Sequence, residues 1–217
     1  MSLVLAANGV HRILALGDSY TVGEGIAPAE AWPARLVSAL REEGLEFELE
    51  VLAKTGWSSG ELAEAVSGHA FTPPYALVTL GIGVNDQYRG LPLAEYEAHF
   101  TALLRRAIAL AGNRPERVLV LSIPDWGVTP FARESGRDPA RIAAEIDAFN
   151  EVARKAAAAQ GARFVELTAI SRRLGASALA PDRLHPSAEQ HRVWLEQAIL
   201  PAARQALALP PPPHSPP

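Results

Sequence analysis

Residues 12–21 read RILAL-GDSYT, an apolar run followed at once by a polar turn. The apolar part, Arg12–Leu16, has the length and aliphatic composition of a strand that is buried in a parallel sheet. Four more runs of this kind follow along the chain. They are Phe47–Ala53, Ala76–Leu80, Val118–Ile123 and Arg163–Leu167. The sequence therefore predicts five buried strands.

Longer stretches with helical spacing separate and follow these runs. They are Ala29–Glu43, Ser59–Val66, Leu93–Ala111, Pro139–Gln160 and Ala188–Leu207. Ser58 and Ser187 are each followed three residues later by Glu or Gln, which predicts capping boxes at two helix starts. Alternating strands and helices predict an α/β domain with a five-stranded parallel sheet, because parallel strands need crossovers that place helices on both sheet faces.

Composition and length limit the possible functions. The chain has 217 residues, enough for one core, and we expect one domain over residues 1–209. The last eight residues, PPPPHSPP at 210–217, predict a disordered or polyproline tail. The net charge of -4, without a dense Lys/Arg cluster, argues against nucleic acid as a partner. The absence of cysteine excludes disulfides, thiolate catalysis and cysteine-ligated metals.

The location of the chain is predicted from its apolar runs. Met1–Ala7 lacks the positive start and the length of a signal peptide, so a cytoplasmic location is expected. No apolar run approaches the roughly 20 residues that cross a bilayer, so stable membrane insertion is not expected.

Polar residues cluster where the predicted strands end, which is the edge at which open parallel sheets bind ligands. Residues 17–21 read GDSYT after the first strand, and residues 54–57 read KTGW after the second. Residues 81–86 read GIGVND after the third strand, and residues 182–186 read DRLHP before the last helix. We expect these four segments to converge on one rim.

Together, the four segments contain the groups that acyl transfer needs. Ser19 is the candidate nucleophile. His185 is the candidate base, with Asp182 three residues before it to orient the imidazole. The backbone N–H groups of Ser19 and Gly56 and the amide of Asn85 are candidate donors to the oxyanion.

Each of these residues also has an ordinary structural interpretation. Ser19 or its neighbour Asp18 could simply cap a helix, and a lone histidine beside a helix start is more often structural. Gly56 could be a turn glycine, and Asn85 could satisfy loop backbone groups. The joint pattern, rather than any one residue, favours catalysis.

In their order along the chain, these four blocks resemble those of the SGNH or GDSL hydrolases. The resemblance extends from Gly17 to Pro186 and implies a three-layer α/β/α sandwich of the flavodoxin-like kind. It further implies a triad of Ser19, Asp182 and His185, an oxyanion hole of Ser19, Gly56 and Asn85, and Asp86 as a loop anchor. The chain departs from the family pattern at Tyr20, where leucine is usual, and at residues 183–184 in the last block.

A competing nucleophile lies in residues 56–60, which read GWSSG and match the Gly-x-Ser-x-Gly elbow of α/β-hydrolases. Ser58 would then attack the ester, and Asp182 and His185 would still follow in the required order. The elbow is disfavoured because Ser58 is also explained as a helix cap and because no His-Gly-Gly segment precedes it.

The sequence indicates the substrate and the cofactor less clearly than it indicates the candidate reacting groups. No nucleotide-binding glycine motif or histidine-carboxylate metal motif is present, so no cofactor and no metal are expected. A small-molecule ester is the expected substrate, and simple carboxylic esters, acetylated carbohydrates, lysophospholipids and acyl thioesters all fit the sequence. A non-catalytic binding module on the same fold is an alternative. The candidate substrate-contacting residues are Tyr20, Trp57, Tyr88 and Trp126. Polar groups near the same rim are Gln87, Arg89 and Arg133.

Overall fold

A computed structural model describes residues 11–209 of the chain. The N-terminal segment Met1–Ala7 and the predicted tail at 210–217 therefore lie outside the described residues. The sheet consists of five strands, which we number in chain order. They are β1 His11–Gly17, β2 Phe47–Ala53, β3 Leu77–Gly81, β4 Val118–Leu121 and β5 Arg163–Val165. All five predicted strands are confirmed.

Every strand pair in the sheet is parallel, and the order is β2-β1-β3-β4-β5. The chain adds β2 on one side of β1 and then builds the rest of the sheet on the other side. This doubly wound order opens a crevice beyond the carboxyl ends of β1 and β3, where the winding changes direction.

Ten α-helices lie between the strands or after the last of them within the described range. They are α1 Ser19–Val22, α2 Trp32–Glu42, α3 Ser59–Gly68, α4 Val84–Arg89, α5 Leu93–Leu110, α6 Pro130–Glu134, α7 Pro139–Gln160, α8 Thr168–Leu174, α9 Ala188–Trp194 and α10 Leu200–Leu207. Short 3₁₀ turns occupy Pro28–Glu30, Pro115–Arg117, Trp126–Val128 and Gly175–Ala178, and a π-turn occupies Leu195–Ile199.

The alternation of side chains along β1 divides the core into two layers. Leu14 and Leu16 belong to a buried cluster shared with α3, α5 and α7. Ile13 and Ala15 point the other way, into a second cluster with α2, α9 and α10. Because successive residues of a strand face opposite sides of the sheet, both faces of β1 are buried under helices. The three-layer α/β/α architecture predicted from the sequence is confirmed.

Two of the predicted helices differ in detail from the structure. The stretch predicted as one helix from Ala29 to Glu43 is a 3₁₀ turn followed by α2, since Pro33 sits in the first turn of α2, where its fixed φ is tolerated. The predicted last helix is interrupted by the π-turn before α10. The short helices α1, α4, α6 and α8 were not predicted, because four to seven residues carry too little periodic signal.

Candidate active site

The four polar segments meet in one cleft of about 200 Å³ at the carboxyl edge of the sheet. Ser19 follows β1, Gly56 follows β2, Asn85 follows β3, and His185 lies in the loop before α9. All four line the cleft. The other lining residues are Tyr20, Thr55, Val84, Tyr88, Trp126, Phe131 and Leu184. The expectation that these loops converge on one rim is therefore met.

Asp182 holds His185 through both carboxylate oxygens. Its Oδ2 lies 2.5 Å from Nδ1 of the His185 ring, and its Oδ1 accepts hydrogen bonds from the backbone N–H groups of Leu184 and His185 at 3.0 and 2.9 Å. Partial burial works to raise the pKa of Asp182, but the hydrogen bonds from the ring and the backbone prevail and lower it. The carboxylate is thus ionised and fixes the tautomer and direction of the imidazole.

The turn between these two residues requires an unusual backbone. Arg183 adopts a φ of +64°, in the left-handed region that non-glycine residues seldom occupy. The His185 carbonyl in turn accepts the N–H of Ala180 at 2.7 Å. The histidine is therefore held from its ring and from its backbone.

Ser19 is the first residue of α1 and is 4% exposed. Asp18 caps this helix, because its side chain accepts the Tyr20 N–H at 3.0 Å. The Ser19 hydroxyl is therefore not needed as the cap. A Cβ at Gly17 would lie 2.6 Å from the Gly81 carbonyl oxygen, so only glycine allows β1 and β3 to end this close together.

Asp18 is a buried acid directly beside Ser19. Its side chain is 1% exposed, and desolvation by burial, with a contribution from Asp86, raises its pKa to about 7. The hydrogen bond from Tyr20 N–H opposes this shift.

Three cleft-lining residues from separate loops carry N–H donors, namely Ser19, Gly56 and Asn85. The backbone N–H groups of Ser19 and Gly56 have no hydrogen-bond acceptor among residues 11–209. The Asn85 side chain donates one N–H to the Trp57 carbonyl at 2.9 Å, which leaves its second N–H for another acceptor. Uncharged donors from separate loops are the groups expected to stabilise an oxyanion.

Asp86, in α4, is bonded to the start of α3, directly after the β2 loop, which agrees with the loop anchor that the family resemblance implied. Its two oxygens accept the Ser59 N–H at 2.8 Å and the Ser59 hydroxyl at 2.5 Å. Desolvation by burial raises the pKa of Asp86 despite these hydrogen bonds. The anchor fixes the start of α3 relative to Asn85.

Ser58, the competing nucleophile, is the N-cap of α3. Its hydroxyl accepts the Glu61 N–H at 3.4 Å, and Glu61 Oε2 accepts the Ser58 N–H at 2.8 Å, which completes the predicted capping box. Ser58 is 5% exposed and does not line the cleft. The structure therefore places Ser19, rather than Ser58, in the cleft with His185.

Three of the four predicted substrate-contacting residues line the cleft, namely Tyr20, Tyr88 and Trp126. Trp57 does not line the cleft, and its side chain is half-buried against the core cluster that includes residues of α3 and α5. Phe131 was missed in the sequence, and its ring lies 6.1 Å from Trp126 and 6.5 Å from Tyr88. The segment after β4 leads to the same rim as the other loops, and this rule would have directed attention to Phe131.

No cluster of three or more histidine or acidic side chains is arranged to hold a metal ion among the described residues. Within the same range, no helix combines the length and hydropathy needed to cross a bilayer.

The sequence matches a known protein family. The sequence model of the GDSL-like Lipase/Acylhydrolase family matches residues 15–193. The chain belongs to this family. The matched range includes all four polar segments, and the family assignment expected from them is confirmed.

Two characterised relatives are esterases. The chain is 29% identical over 145 residues to Esterase TesA of Pseudomonas aeruginosa. The aligned region covers 63% of this chain and 70% of the relative. It is also 29% identical over 140 residues to an Arylesterase of Vibrio mimicus. This aligned region covers 58% of this chain and 66% of the relative. The GDSL family member described here is a carboxylic ester hydrolase.

Solved structures confirm the fold. The crystal structure of TesA superposes with a TM-score of 0.72 at 21% identity, over 90% of this chain and 99% of that chain. The psychrotrophic esterase EstA from Pseudoalteromonas sp. gives a TM-score of 0.71 at 18% identity, over 91% and 99% of the two chains. An acetyl-xylooligosaccharide esterase, Axe2 from Geobacillus, gives 0.71 at 19% identity, over 97% and 100%.

Proposed function

We propose that this esterase hydrolyses its substrate through an acyl-enzyme on Ser19. His185 is the general base and acid, and Asp182 orients it. The N–H groups of Ser19 and Gly56 and the amide of Asn85 form the oxyanion hole. The observation that carries the proposal is the 2.5 Å contact between Asp182 and His185 in the wall of a cleft that Ser19 also lines.

In the first half of the reaction, His185 Nε2 takes the proton of the Ser19 hydroxyl as Oγ bonds to the ester carbonyl carbon. The electrons of the C=O bond move to the oxygen, which the three donors stabilise. When the carbonyl reforms, the alcohol leaves with the proton from His185.

In the second half, water gives a proton to His185 and attacks the acyl-enzyme. The resulting tetrahedral intermediate releases a carboxylic acid, and Ser19 recovers its proton. Asp182 remains ionised throughout and stabilises the imidazolium that forms twice in each cycle. Its lowered pKa supports this role.

The cleft favours a small-molecule ester with an apolar group beside the reacting carbonyl. Its wall is largely apolar and aromatic, with Tyr88, Trp126 and Phe131 gathered on one side. Rings of this kind bury apolar groups effectively. Of the alternatives, a non-catalytic binding module would need neither the fixed imidazole nor unpaired N–H donors.

Reaction with a fluorophosphonate probe tests the proposal directly. We expect one covalent adduct per chain, and peptide mapping by mass spectrometry should place it on Ser19. Ser19→Ala should abolish labelling, whereas Ser58→Ala serves as the matched control and should be labelled like the wild type. An adduct on Ser58, or a native protein that does not react, would overturn the proposal.

A further inference from the structure

Side chains of α4 make hydrogen bonds with the loop after β2 and with the start of α3. Asn85 donates to the Trp57 carbonyl, and Asp86 accepts from Ser59. A third connection comes from Arg89, the last residue of α4. The loop that carries the candidate oxyanion donor Gly56, and the helix start that follows it, are thus held by three side chains of one short helix.

Arg89 makes two directed contacts with this loop region. Its Nη2 donates to the Gly56 carbonyl at 2.5 Å, and its Nη1 donates to Glu61 Oε2 at 2.9 Å. The same Glu61 oxygen accepts the Ser58 N–H at the start of α3. Arg89 therefore ties the backbone of Gly56 to the capped end of a helix.

Gly56 has little packing of its own to hold it. It lies in a turn that the Trp57 N–H closes onto the Lys54 carbonyl at 3.2 Å, and its φ is +87°. A Cβ built at Gly56 would have a single heavy-atom neighbour within 4 Å, Nη2 of Arg89 at 4.0 Å. The Gly56 N–H belongs to the peptide plane before this residue and its carbonyl to the plane after it. The two planes meet at a residue without a Cβ, so a hydrogen bond to the carbonyl restrains the N–H by limiting rotation about the Gly56 backbone.

Stability alone does not account well for Arg89. Its side chain is 43% exposed and that of Glu61 is 45% exposed. Ion pairs at such exposure contribute only about 0–1 kcal/mol to folding. Arg89 is also absent from the residues that line the catalytic cleft, so direct contact with the reacting ester does not explain it either.

We propose that Arg89 is a positioning residue that aims the Gly56 N–H at the oxyanion. This inference rests on the proposed function, because it takes Gly56 as a donor to the transition state. Loss of Arg89 leaves the donor in place but lets its direction vary. The affinity for the neutral ester then changes little, while stabilisation of the charged tetrahedral intermediate falls.

The test compares Arg89→Met, Arg89→Lys and the control Arg154→Met. Arg154 is a matched surface arginine, because it pairs with two glutamates, Glu151 and Glu166, is 49% exposed and lies outside the cleft. Removing an oxyanion donor outright costs about 10²–10³ in kcat, so a misdirected donor should cost roughly tenfold. We expect that loss in kcat for Arg89→Met with KM unchanged, partial recovery in Arg89→Lys, and wild-type kinetics in Arg154→Met.

The affinity for a boronic acid inhibitor, which becomes tetrahedral when bound, distinguishes a positioning role of Arg89 from a purely structural one. This affinity should weaken in Arg89→Met by about the same factor as kcat, while inhibition by the carboxylate product stays the same. Wild-type kcat, a change carried by KM, or equal weakening of both inhibitors would overturn the inference. If Arg89→Met does not fold, Arg89→Lys compared with Arg154→Lys gives the same contrast at smaller amplitude.

Failure of this inference is distinguishable from failure of the proposed function. An active Ser19→Ala variant would remove the proposed function itself. An inactive Ser19→Ala variant together with a fully active Arg89→Met variant would leave the triad standing and reject only the role of Arg89.

Discussion

Ser19 and Ser58 occupy similar places in this fold. Each lies at the start of the helix that follows a parallel strand, and their exposures are 4% and 5%. Ser58 is itself the N-cap of α3, and its hydroxyl and backbone N–H are both engaged by Glu61. Ser19 lies one residue inside α1, because Asp18 acts as the cap. A serine whose neighbour satisfies the helix end keeps its hydroxyl for chemistry.

Separate alanine substitutions of Ser19 and Ser58 test whether the two serines have different roles. Of all the predictions, this one has the largest expected effect. Ser19→Ala should lower kcat/KM by about 10⁴-fold or more, since removal of a triad nucleophile leaves only the oxyanion hole and binding. Ser58→Ala should retain nearly full activity. Steady-state hydrolysis of p-nitrophenyl esters measures both. The opposite ranking would identify Ser58, and not Ser19, as the nucleophile.

Asp182→Asn is expected to have the next largest effect, a loss of about 10³–10⁴ in kcat. The amide oxygen of asparagine can still accept the N–H groups of Leu184 and His185, so the loop should keep its shape. Its NH₂ group would face Nδ1 of His185 and favour the wrong tautomer. Rate and thermal melting are measured together. Full activity would remove Asp182 from the triad.

Asp18→Asn changes the residue that caps α1, the helix that begins at Ser19. The folded pKa of Asp18, about 7, lies above the ordinary 3.8, so the fold prefers the neutral acid. Stability from this group is complete below about pH 3.8 and is lost as pH rises through about 7. Asparagine also caps helices but cannot ionise. The variant should therefore gain stability relative to wild type between pH 4 and 7, by up to roughly 4 kcal/mol.

Urea unfolding at several pH values measures this difference. Taking the difference between variant and wild type cancels the groups that both proteins share. A constant difference from pH 4 to 8 would show that Asp18 ionises normally in the fold.

Ser58→Ala has the smallest expected effect, and it concerns stability. Loss of an N-cap hydroxyl costs about 1 kcal/mol. The loss should be visible as a lower midpoint in thermal or urea unfolding, without a comparable loss of activity. Unchanged stability would indicate that the 3.4 Å contact with Glu61 N–H contributes nothing to the cap.

Much of the fold is predictable from the sequence because its signals are local. The aliphatic run at Arg12–Leu16 predicts β1, although the strand extends over His11–Gly17. The spacing of Ser58 and Glu61 predicts a capping box that the structure contains. The short helix α4 was missed, since six residues do not establish a helical period.

The residues of the candidate site were likewise predicted from the sequence only in part. Ser19, Gly56, Asn85 and His185 are found from the sequence because each directly follows a strand or precedes a helix, and parallel strands end at a common edge. Phe131 was not singled out, although the segment after β4 leads to the same rim. The motif around Trp57 does not show that its side chain packs against the core cluster instead of lining the cleft.

The sequence by itself determined the α/β alternation, the candidate reacting groups and the order in which these candidates occur, because these depend on residues that are neighbours in the chain. Only the tertiary structure decided which serine faces the cleft and that Arg89 holds Gly56. Those outcomes depend on how the sheet brings the ends of β1, β2 and β3 together. Contacts between residues 33 positions apart, such as Arg89 and Gly56, have no signature in local composition.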